Sequence, residues 1–167
     1  MKKLFLMFGV MALAMTAFTG CKDDDKDKVN YGAVAAGTYK GTLVLTGIEG
    51  LEELPNQTFV ITRKSDNTVD IKAQVDAGEQ LKFNVEAKGL ELSGKLDDIA
   101  IKKWDGKIDL TALGEDNKEV ATTIKDSKIT TQNKLTLVIE VTGVKMEGVE
   151  NPVNLVIKTT DAAKITK

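Results

Sequence analysis

The residue types that usually carry enzyme chemistry are sparse in this chain. Its 167 residues include no histidine and one cysteine, Cys21. Catalysis by a histidine acid or base, Ser-His-Asp and Cys-His nucleophiles, and the usual His/Cys zinc sites therefore lack candidate residues. The sequence predicts no enzyme activity, no catalytic residue, no cofactor and no metal site.

Two short motifs that could do chemistry are better explained as ordinary structure. The stretch GLELSGKL at 89–96 approaches a phosphate-binding P-loop, but Leu96 replaces the hydroxyl residue that would hold magnesium. Its residues also alternate as they do in a strand. Asp97 and Asp98 are sequence neighbours, so on a strand their carboxylates would point to opposite faces and could not share a proton. We interpret them as a solvated turn.

Cys21 ends a segment with the features of an export signal. Lys2 and Lys3 precede an apolar stretch at 4–17, and small residues follow it. The block FTGC at 18–21 resembles a bacterial lipobox, with Phe18 where that pattern usually has leucine. The resemblance implies cleavage before Cys21 and lipidation of its sulfur. Two or more acyl chains would anchor the protein stably, since each buried methylene contributes about 0.8 kcal/mol.

The segment after Cys21 is a dense run of charge, KDDDKDK at 22–28. Such a run cannot bury apolar surface, and it therefore predicts a solvated tether. It also resembles the lysine-plus-acidic signal that directs some lipoproteins of Gram-negative bacteria to the outer cell surface. The apolar run before Cys21 is too short for a transmembrane helix. We therefore expect a lipid-anchored protein of the outer membrane that is exposed at the cell surface.

Beyond the tether, apolar and polar residues alternate with a period of two, which is typical of half-buried strands. An apolar period of 3.6 nowhere persists for three turns. The clearest alternating segments lie at 39–46, 58–62, 69–75, 81–88, 135–141 and 153–157, and less regular ones contain Leu90 and Leu92, Ile99 and Ile101, Ile108 and Leu110, and Val120, Thr122 and Ile124. The pattern predicts an all-β domain.

Short turns join these segments, so successive strands should pair antiparallel. Residues 65–67 and the pair Asp105-Gly106 have the composition of hairpin turns. Closing such a sheet removes its two exposed edges. The predicted fold is a closed antiparallel up-and-down β-barrel of about eight to ten strands, and the alternative is a β-sandwich with a crossover hidden in 113–133. The predicted boundaries are a signal peptide at 1–20, an acylated tether at 21–36, the barrel at 37–160 and a polar tail at 161–167.

Three stretches resemble one known family. GTYKGTL at 37–43, PNQTFVI at 55–61 and the lipobox ahead of both resemble the calycin-like (lipocalin-like) β-barrel lipoproteins of Gram-negative gut bacteria. The resemblance spans most of the mature chain and implies a small closed barrel on an acyl tether, with no catalytic residues to carry over. The apolar rows should point inward, because a barrel that faced lipid would need aromatic girdles that this chain's few aromatic residues cannot supply.

Two long loops have similar compositions. The stretches 46–56 and 142–152 each begin with Thr-Gly, mix glutamates with apolar residues and end near a proline. In a closed barrel with an even number of strands, the first and last hairpin loops lie at the same end, on neighbouring strands. Unless these are simply two ordinary long loops, their apolar side chains should cap or line a mouth: Leu51, Leu54, Met146 and Val149.

Four valines interrupt the polar, outward-facing rows of the first two and last two strands: Val44, Val60, Val138 and Val156. Barrel closure should gather them into one apolar strip on the outer face. Either a partner protein or the chain's own residues 34–36 folding back would cover such a strip. The alternative is that valine is simply a good strand residue.

These patterns leave two functions open. The first is a binding module whose mouth or interior holds a small or apolar ligand. The second is a structural or adhesive surface protein that uses its outer face against another protein. The expected partners are accordingly the membrane through acylated Cys21, a small apolar ligand, and a protein on the outer face. A formal net charge of −2, with no basic cluster beyond the tether, predicts no nucleic-acid binding.

Overall fold

The computed structural model describes residues 29–48, 53–78, 82–130 and 132–165. The signal peptide, Cys21, Leu51 and most of the tether lie outside the described residues. The elements in chain order are α1 (Tyr31–Ala35), β1 (Gly37–Thr46), β2 (Glu53–Arg63), β3 (Thr68–Asp76), β4 (Lys82–Lys95), β5 (Asp98–Ile101), β6 (Trp104–Ile108), a 3₁₀ helix (Thr111–Leu113), β7 (Val120–Thr130), β8 (Lys134–Val144) and β9 (Val153–Lys164).

The strands form a closed antiparallel barrel, as the sequence predicts. Eight of them make the ring in the order β5-β4-β3-β2-β1-β9-β8-β7, and β7 closes it by pairing with β5. The extra strand, β6, continues from β5 along the same edge of β7. The β-sandwich alternative is wrong, because residues 120–130 form β7 within the ring rather than a crossover.

A packed hydrophobic core fills the barrel. The alternating apolar rows point inward, as predicted, and their largest side chains are fully buried: Tyr39, Leu43, Leu45, Phe59, Ile71, Leu90, Ile99, Leu110, Ile124, Ile129, Leu135 and Leu137. Removing such apolar surface from water is the dominant favourable contribution to folding. Side chains therefore occupy the interior where a lipocalin-like ligand cavity would lie.

Buried polar side chains replace backbone partners where the strand ladders are irregular. The β7–β8 and β8–β9 ladders both shift register near Val138. There the Ser127 hydroxyl accepts a hydrogen bond from Val138 N–H over 2.9 Å, and the Thr159 hydroxyl accepts one from Leu137 N–H over 2.9 Å. Gln57 similarly bonds to the backbone of β3. Each group left unpaired would cost about 1–3 kcal/mol, so these side chains stabilise the irregular ladders.

β4 is one strand of 14 residues where the sequence pattern indicates two. A bulge at Gly89, whose φ is 69°, lets both Ala87 and Leu90 face the core although they are three positions apart. The N–H of Gly89 donates to Asp70 Oδ1 over 2.9 Å. The bulge shifts the alternation by one residue, and this shift is why the pattern looks like a break between strands.

The helix α1 covers one end of the barrel, which we call the helical end. Ala35 is fully buried there, and the Tyr31 hydroxyl donates over 2.6 Å to the backbone oxygen of Gly94, near the end of β4. The sequence predicts that these positions belong to the tether, and that 34–36 could fold over the outer valines. Both predictions are wrong here, because the buried Ala35 side chain completes the core instead.

Two further sequence-based assignments need correction. β9 continues to Lys164, and Ala162 within it is buried, so 161–164 belong to the barrel rather than to a polar tail. Asp105 and Gly106 lie within β6 and do not form a hairpin turn.

Opposite the helical end is the loop rim, formed by the connections after β1, β3, β6 and β8. Thr46 of β1 lies opposite Val156 of β9, so the first and last long loops leave the barrel on neighbouring strands at this rim. Among the residues described, no helix is long and apolar enough to cross a membrane.

Candidate functional site

The barrel wall is incomplete between β4 and β6. β4 pairs with β5 through residues 92–95, and one more backbone hydrogen bond joins Lys102 N–H to Glu91 C=O over 2.8 Å. Nearer the loop rim, the described residues show no strand pairing between 82–88 of β4 and β6. We call this gap the seam.

Trp104 bridges the closed end of the seam. It pairs with the buried Ile124 of β7, so its side chain starts from the inner face of the barrel. The indole reaches across to β4, where Nε1 donates to the backbone oxygen of Lys88 over 3.0 Å. Its six-membered ring lies against Gly106, and a Cβ at that position would overlap the ring. Gly106 therefore makes room for the indole.

The edge of β4 that faces the seam is open. Backbone groups alternate in direction along a strand, so the orientation of the Lys88 carbonyl places the N–H and C=O of Glu86, Asn84 and Lys82 on the same edge. Within the described part of the chain no partner strand covers these groups. Polar side chains complete the irregular ladders elsewhere in this barrel, whereas the β4 edge carries backbone donors and acceptors that remain available.

The seam opens into a cleft of about 530 Å³, which we call the seam cleft. Phe83 and Ile108, both nearly buried, supply its apolar floor with Ala112 of the 3₁₀ helix, and Trp104 forms one wall. A second hollow of about 350 Å³ shares residues 82–84 with the cleft and continues over β3 and β2. Only four of the twelve residues that line the seam cleft are apolar, so the cleft is more polar than the usual small-ligand site.

The lining of the seam cleft is basic although the chain as a whole is acidic. It carries the lysines Lys72, Lys82, Lys88 and Lys107 against two carboxylates, Glu86 and Asp109. The chain's formal net charge is −2. Asp76 and Glu119, the ion-pair partners of Lys82 and Lys107, lie outside this lining, so an anion in the cleft would compete with these two carboxylates for the lysines.

Exposed ion pairs hold the lysines at the edge of the cleft. Lys107 Nζ lies 2.8 Å from Glu119, and this hydrogen bond lowers the pKa of the Glu119 carboxyl. Lys82 Nζ lies 3.1 Å from Asp76, whose pKa is lowered first by the backbone N–H of Gly78 and then by Lys82. Exposed pairs of this kind are screened by solvent and contribute little to stability, so the ammonium groups can turn toward a bound anion.

Asn117 holds the segment after the 3₁₀ helix, whose residues Thr111 and Ala112 line the seam cleft, against the β8–β9 loop. Its buried side chain donates from Nδ2 to the backbone oxygen of Lys145 over 2.7 Å, and its Oδ1 accepts from the N–H of Lys145 over 2.9 Å. The side chain thus imitates a strand partner for the β8–β9 loop. It joins the region of the 3₁₀ helix to the last loop of the rim.

Three of the four residues predicted to line a mouth are described, and none of the three lines the seam cleft. Leu54 is buried on β2, Met146 is half-buried against the core, and Val149 is 46% exposed. Leu51 lies outside the described residues. The packing of these side chains on one another across the rim stays a prediction.

Three of the four outer valines lie close together. Val44 and Val138 are both register partners of Lys158, and Val156 is two positions away from it on β9. Val60 pairs with Thr38 at the far end of β1, so its place in the predicted strip is wrong. The register shift within β1–β2 and the length of β1 separate it from the others.

The seam is not predicted from the sequence, because Gly106 follows Asp105 and the pair resembles a hairpin turn. One signal could have revealed it. Trp104 and Gly106 are two positions apart, and hence on one face of a strand, where a glycine leaves space for a neighbouring indole. This is also the only tryptophan in the chain.

No protein-family model matches the chain, and no curated protein matches it. Among solved structures, it is similar to a "putative outer membrane protein" of Bacteroides fragilis, with 13% identity and a TM-score of 0.48 over 80% of this chain. The chain spans about half of that protein, 53% of its length. A redesigned β-barrel is similar over 82% of this chain and 96% of its own, with 14% identity and a TM-score of 0.44.

Proposed function

We propose that the protein is a lipid-anchored binding module of the calycin-like type whose ligand occupies the seam cleft rather than the barrel interior. One observation carries the proposal: the wall of a filled barrel opens at a single described seam, and that opening has an apolar floor, an indole wall and a basic rim. The favoured ligand combines an apolar part, which contacts Phe83 and Ile108, with a negative charge near the lysines.

The anchor and the cleft lie at opposite ends in this proposal. The described chain begins next to α1 at the helical end, whereas the seam opens toward the loop rim. Acyl chains on Cys21 would therefore hold the helical end toward the outer membrane and present the cleft to the surroundings. In this orientation a ligand could reach the cleft from outside the cell.

Native mass spectrometry of the protein purified from its own host tests the proposal. The wild type should carry a ligand of defined mass. The double variant Lys72→Glu with Lys107→Glu reverses two charges at the cleft and should lose it. The matched control, Lys40→Glu with Lys158→Glu, makes the same change in charge on exposed positions of β1 and β9, and it should retain the ligand. Equal retention by both double variants would exclude the cleft as the site.

A second candidate function is adhesion through the outer face. The cluster of Val44, Val138 and Val156 favours it, because three half-buried apolar side chains meet on an otherwise polar surface. Scattered apolar residues are common on protein surfaces, and the cluster is small. The seam cleft offers a floor, a wall and charged groups for a ligand, whereas the outer face offers only three valines. We therefore rank adhesion as the second candidate function.

A further inference from the structure

We propose that the seam cleft binds its ligand by strand addition, and that the ligand is an extended acidic segment of another protein, which pairs with the open edge of β4. This inference rests on the proposed function and specifies the ligand class of the same site. The reason is that the cleft is bordered by a strand edge whose backbone groups have no partner strand in the described residues.

The backbone of β4 provides the docking template. Asn84 and Glu86 each direct one N–H and one C=O into the seam, which allows two pairs of hydrogen bonds to an added strand. The odd-numbered neighbours, Phe83 and Val85, are buried and use their backbone on β3 instead. The edge is therefore free without any change to the existing ladder.

The size of the cleft fits a short strand. One residue of a packed strand occupies roughly 160 Å³, from a spacing of about 4.8 Å between strands, a rise of about 3.4 Å per residue and a thickness of about 10 Å. The 530 Å³ of the cleft thus accommodates roughly three residues. Trp104, which is hydrogen-bonded to Lys88, closes one end of the seam cleft, and the other end is open at the loop rim.

The side chains around the seam cleft indicate which residues the added segment of the partner protein should carry. A residue paired with Asn84 or Glu86 points outward, as those two side chains do, beside the rim lysines. The carboxylate of Glu86 would face the added residue, but it is offset by Lys88 Nζ, 3.7 Å away, and by its register partner Lys72. The residues between them point inward, toward Phe83, Ile108 and the indole. The segment should therefore alternate acidic and small apolar residues.

The test uses the capped peptide Val-Asp-Val-Asp-Val and the fluorescence of Trp104, the only tryptophan. Binding to the purified protein should change the emission, and added salt should weaken it. The same peptide with both aspartate nitrogens methylated keeps its charge but loses the strand-pairing donors. It should bind at least about tenfold more weakly, which corresponds to about 1.4 kcal/mol for the two hydrogen bonds lost. The capped peptide Val-Lys-Val-Lys-Val should not bind.

The variant Asn84→Pro removes the N–H on the open edge. Proline is tolerated at strand edges, so the barrel should persist by circular dichroism while peptide affinity falls by at least about tenfold. If the variant does not fold, the methylated peptide still decides the question on the unaltered protein. Equal binding of the methylated and plain peptides overturns strand addition.

The two proposals fail separately. If no peptide binds although the native ligand is present on the wild type and lost from the Lys72→Glu, Lys107→Glu variant, the ligand is not a strand-forming peptide and the cleft remains the binding site. If that double variant keeps its native ligand, the proposed function itself is wrong.

Discussion

The indole nitrogen of Trp104 lies 3.0 Å from the backbone oxygen of Lys88, and this hydrogen bond is the final described link between β6 and β4 before the wall opens. On the side of the helical end, backbone hydrogen bonds between β4 and β5 close the barrel. On the side of the loop rim, no described strand pairs with the edge of β4. This hydrogen bond therefore marks where the seam begins. The bond depends on Gly106, because a side chain there would overlap the Trp104 ring.

Gly106→Ala should detach the indole from β4. The added Cβ would overlap the Trp104 ring, so the ring must move or the strands must separate. We expect a shift of the tryptophan emission toward that of a more exposed indole and a loss of about 1–3 kcal/mol in the free energy of unfolding. In a double-mutant cycle with Trp104→Phe, the two losses should be less than additive. Unchanged tryptophan emission would contradict the packing of the Trp104 ring against Gly106.

Tyr39 should impose an alkaline limit on stability. Its hydroxyl is buried and donates to the backbone oxygen of Ala35 over 2.8 Å, and burial raises the pKa of Tyr39 from 10.0 to about 12. The folded state keeps a proton that the unfolded chain loses above pH 10. This contribution to stability is thus complete below pH 10 and disappears as the pH rises to about 12, by up to about 3 kcal/mol.

Urea unfolding of the wild type and of Tyr39→Phe between about pH 9 and 12 measures the effect. The variant lacks the ionisable hydroxyl, so its stability should fall less steeply over this interval. It should also be less stable than the wild type near neutral pH, because the Ala35 carbonyl loses its donor. Parallel pH profiles would show that the Tyr39 proton does not contribute.

Asn117→Ala should loosen the loop rim. The substitution leaves both the N–H and the C=O of Lys145 without their partner, and we expect a loss of about 2 kcal/mol or more. Amide hydrogen exchange at Lys145 should accelerate. The matched control is Asn154→Ala, which removes a single exposed hydrogen bond to Gly143 and should cost less than about 1 kcal/mol. Similar losses of stability for the two variants would show that the paired hydrogen bonds of Asn117 to Lys145 have no special role.

Val44→Thr combined with Val156→Thr tests the outer face. Threonine keeps the β-branched shape, so the melting temperature should change little. If the adhesive function is correct, partner binding or self-association should fall. If neither binding nor stability moves, these valines are only good strand residues.

Cys21→Ser tests the anchor. Lipidation needs the sulfur, so the variant should appear in the soluble fraction and lack the mass of the acyl chains. Replacing Asp23, Asp24 and Asp25 with alanine should leave lipidation intact and reduce digestion by protease added to whole cells. A membrane-bound Cys21→Ser protein of unchanged mass would refute the lipobox interpretation.

The barrel is predictable because its inward rows repeat with a simple period. Residues 69–75 and 135–141 alternate without interruption, and both are strands as predicted. Closure follows from the need to cover two sheet edges. These properties depend on local pattern and on general physics, which a single sequence displays.

The candidate site is less predictable because it depends on two departures from the pattern. The bulge at Gly89 makes one strand look like two, and Gly106 looks like part of a turn until the indole beside it is considered. The burial of Ala35 has a similar cause, since a five-residue helix leaves no periodic signal. Each of these features depends on contacts between residues far apart in the chain.

The position of α1 has a mechanical consequence. The chain enters the barrel at the helical end, whereas the open edge of β4 lies toward the loop rim, with three antiparallel ladders, β1–β2, β2–β3 and β3–β4, between them. A pull between a fixed N-terminus and a ligand held on β4 would therefore act along the strands. Such a shear force must break many backbone hydrogen bonds at once rather than one after another. If the proposed lipid anchor is correct, the barrel would resist mechanical unfolding best when the force passes through this side of its wall.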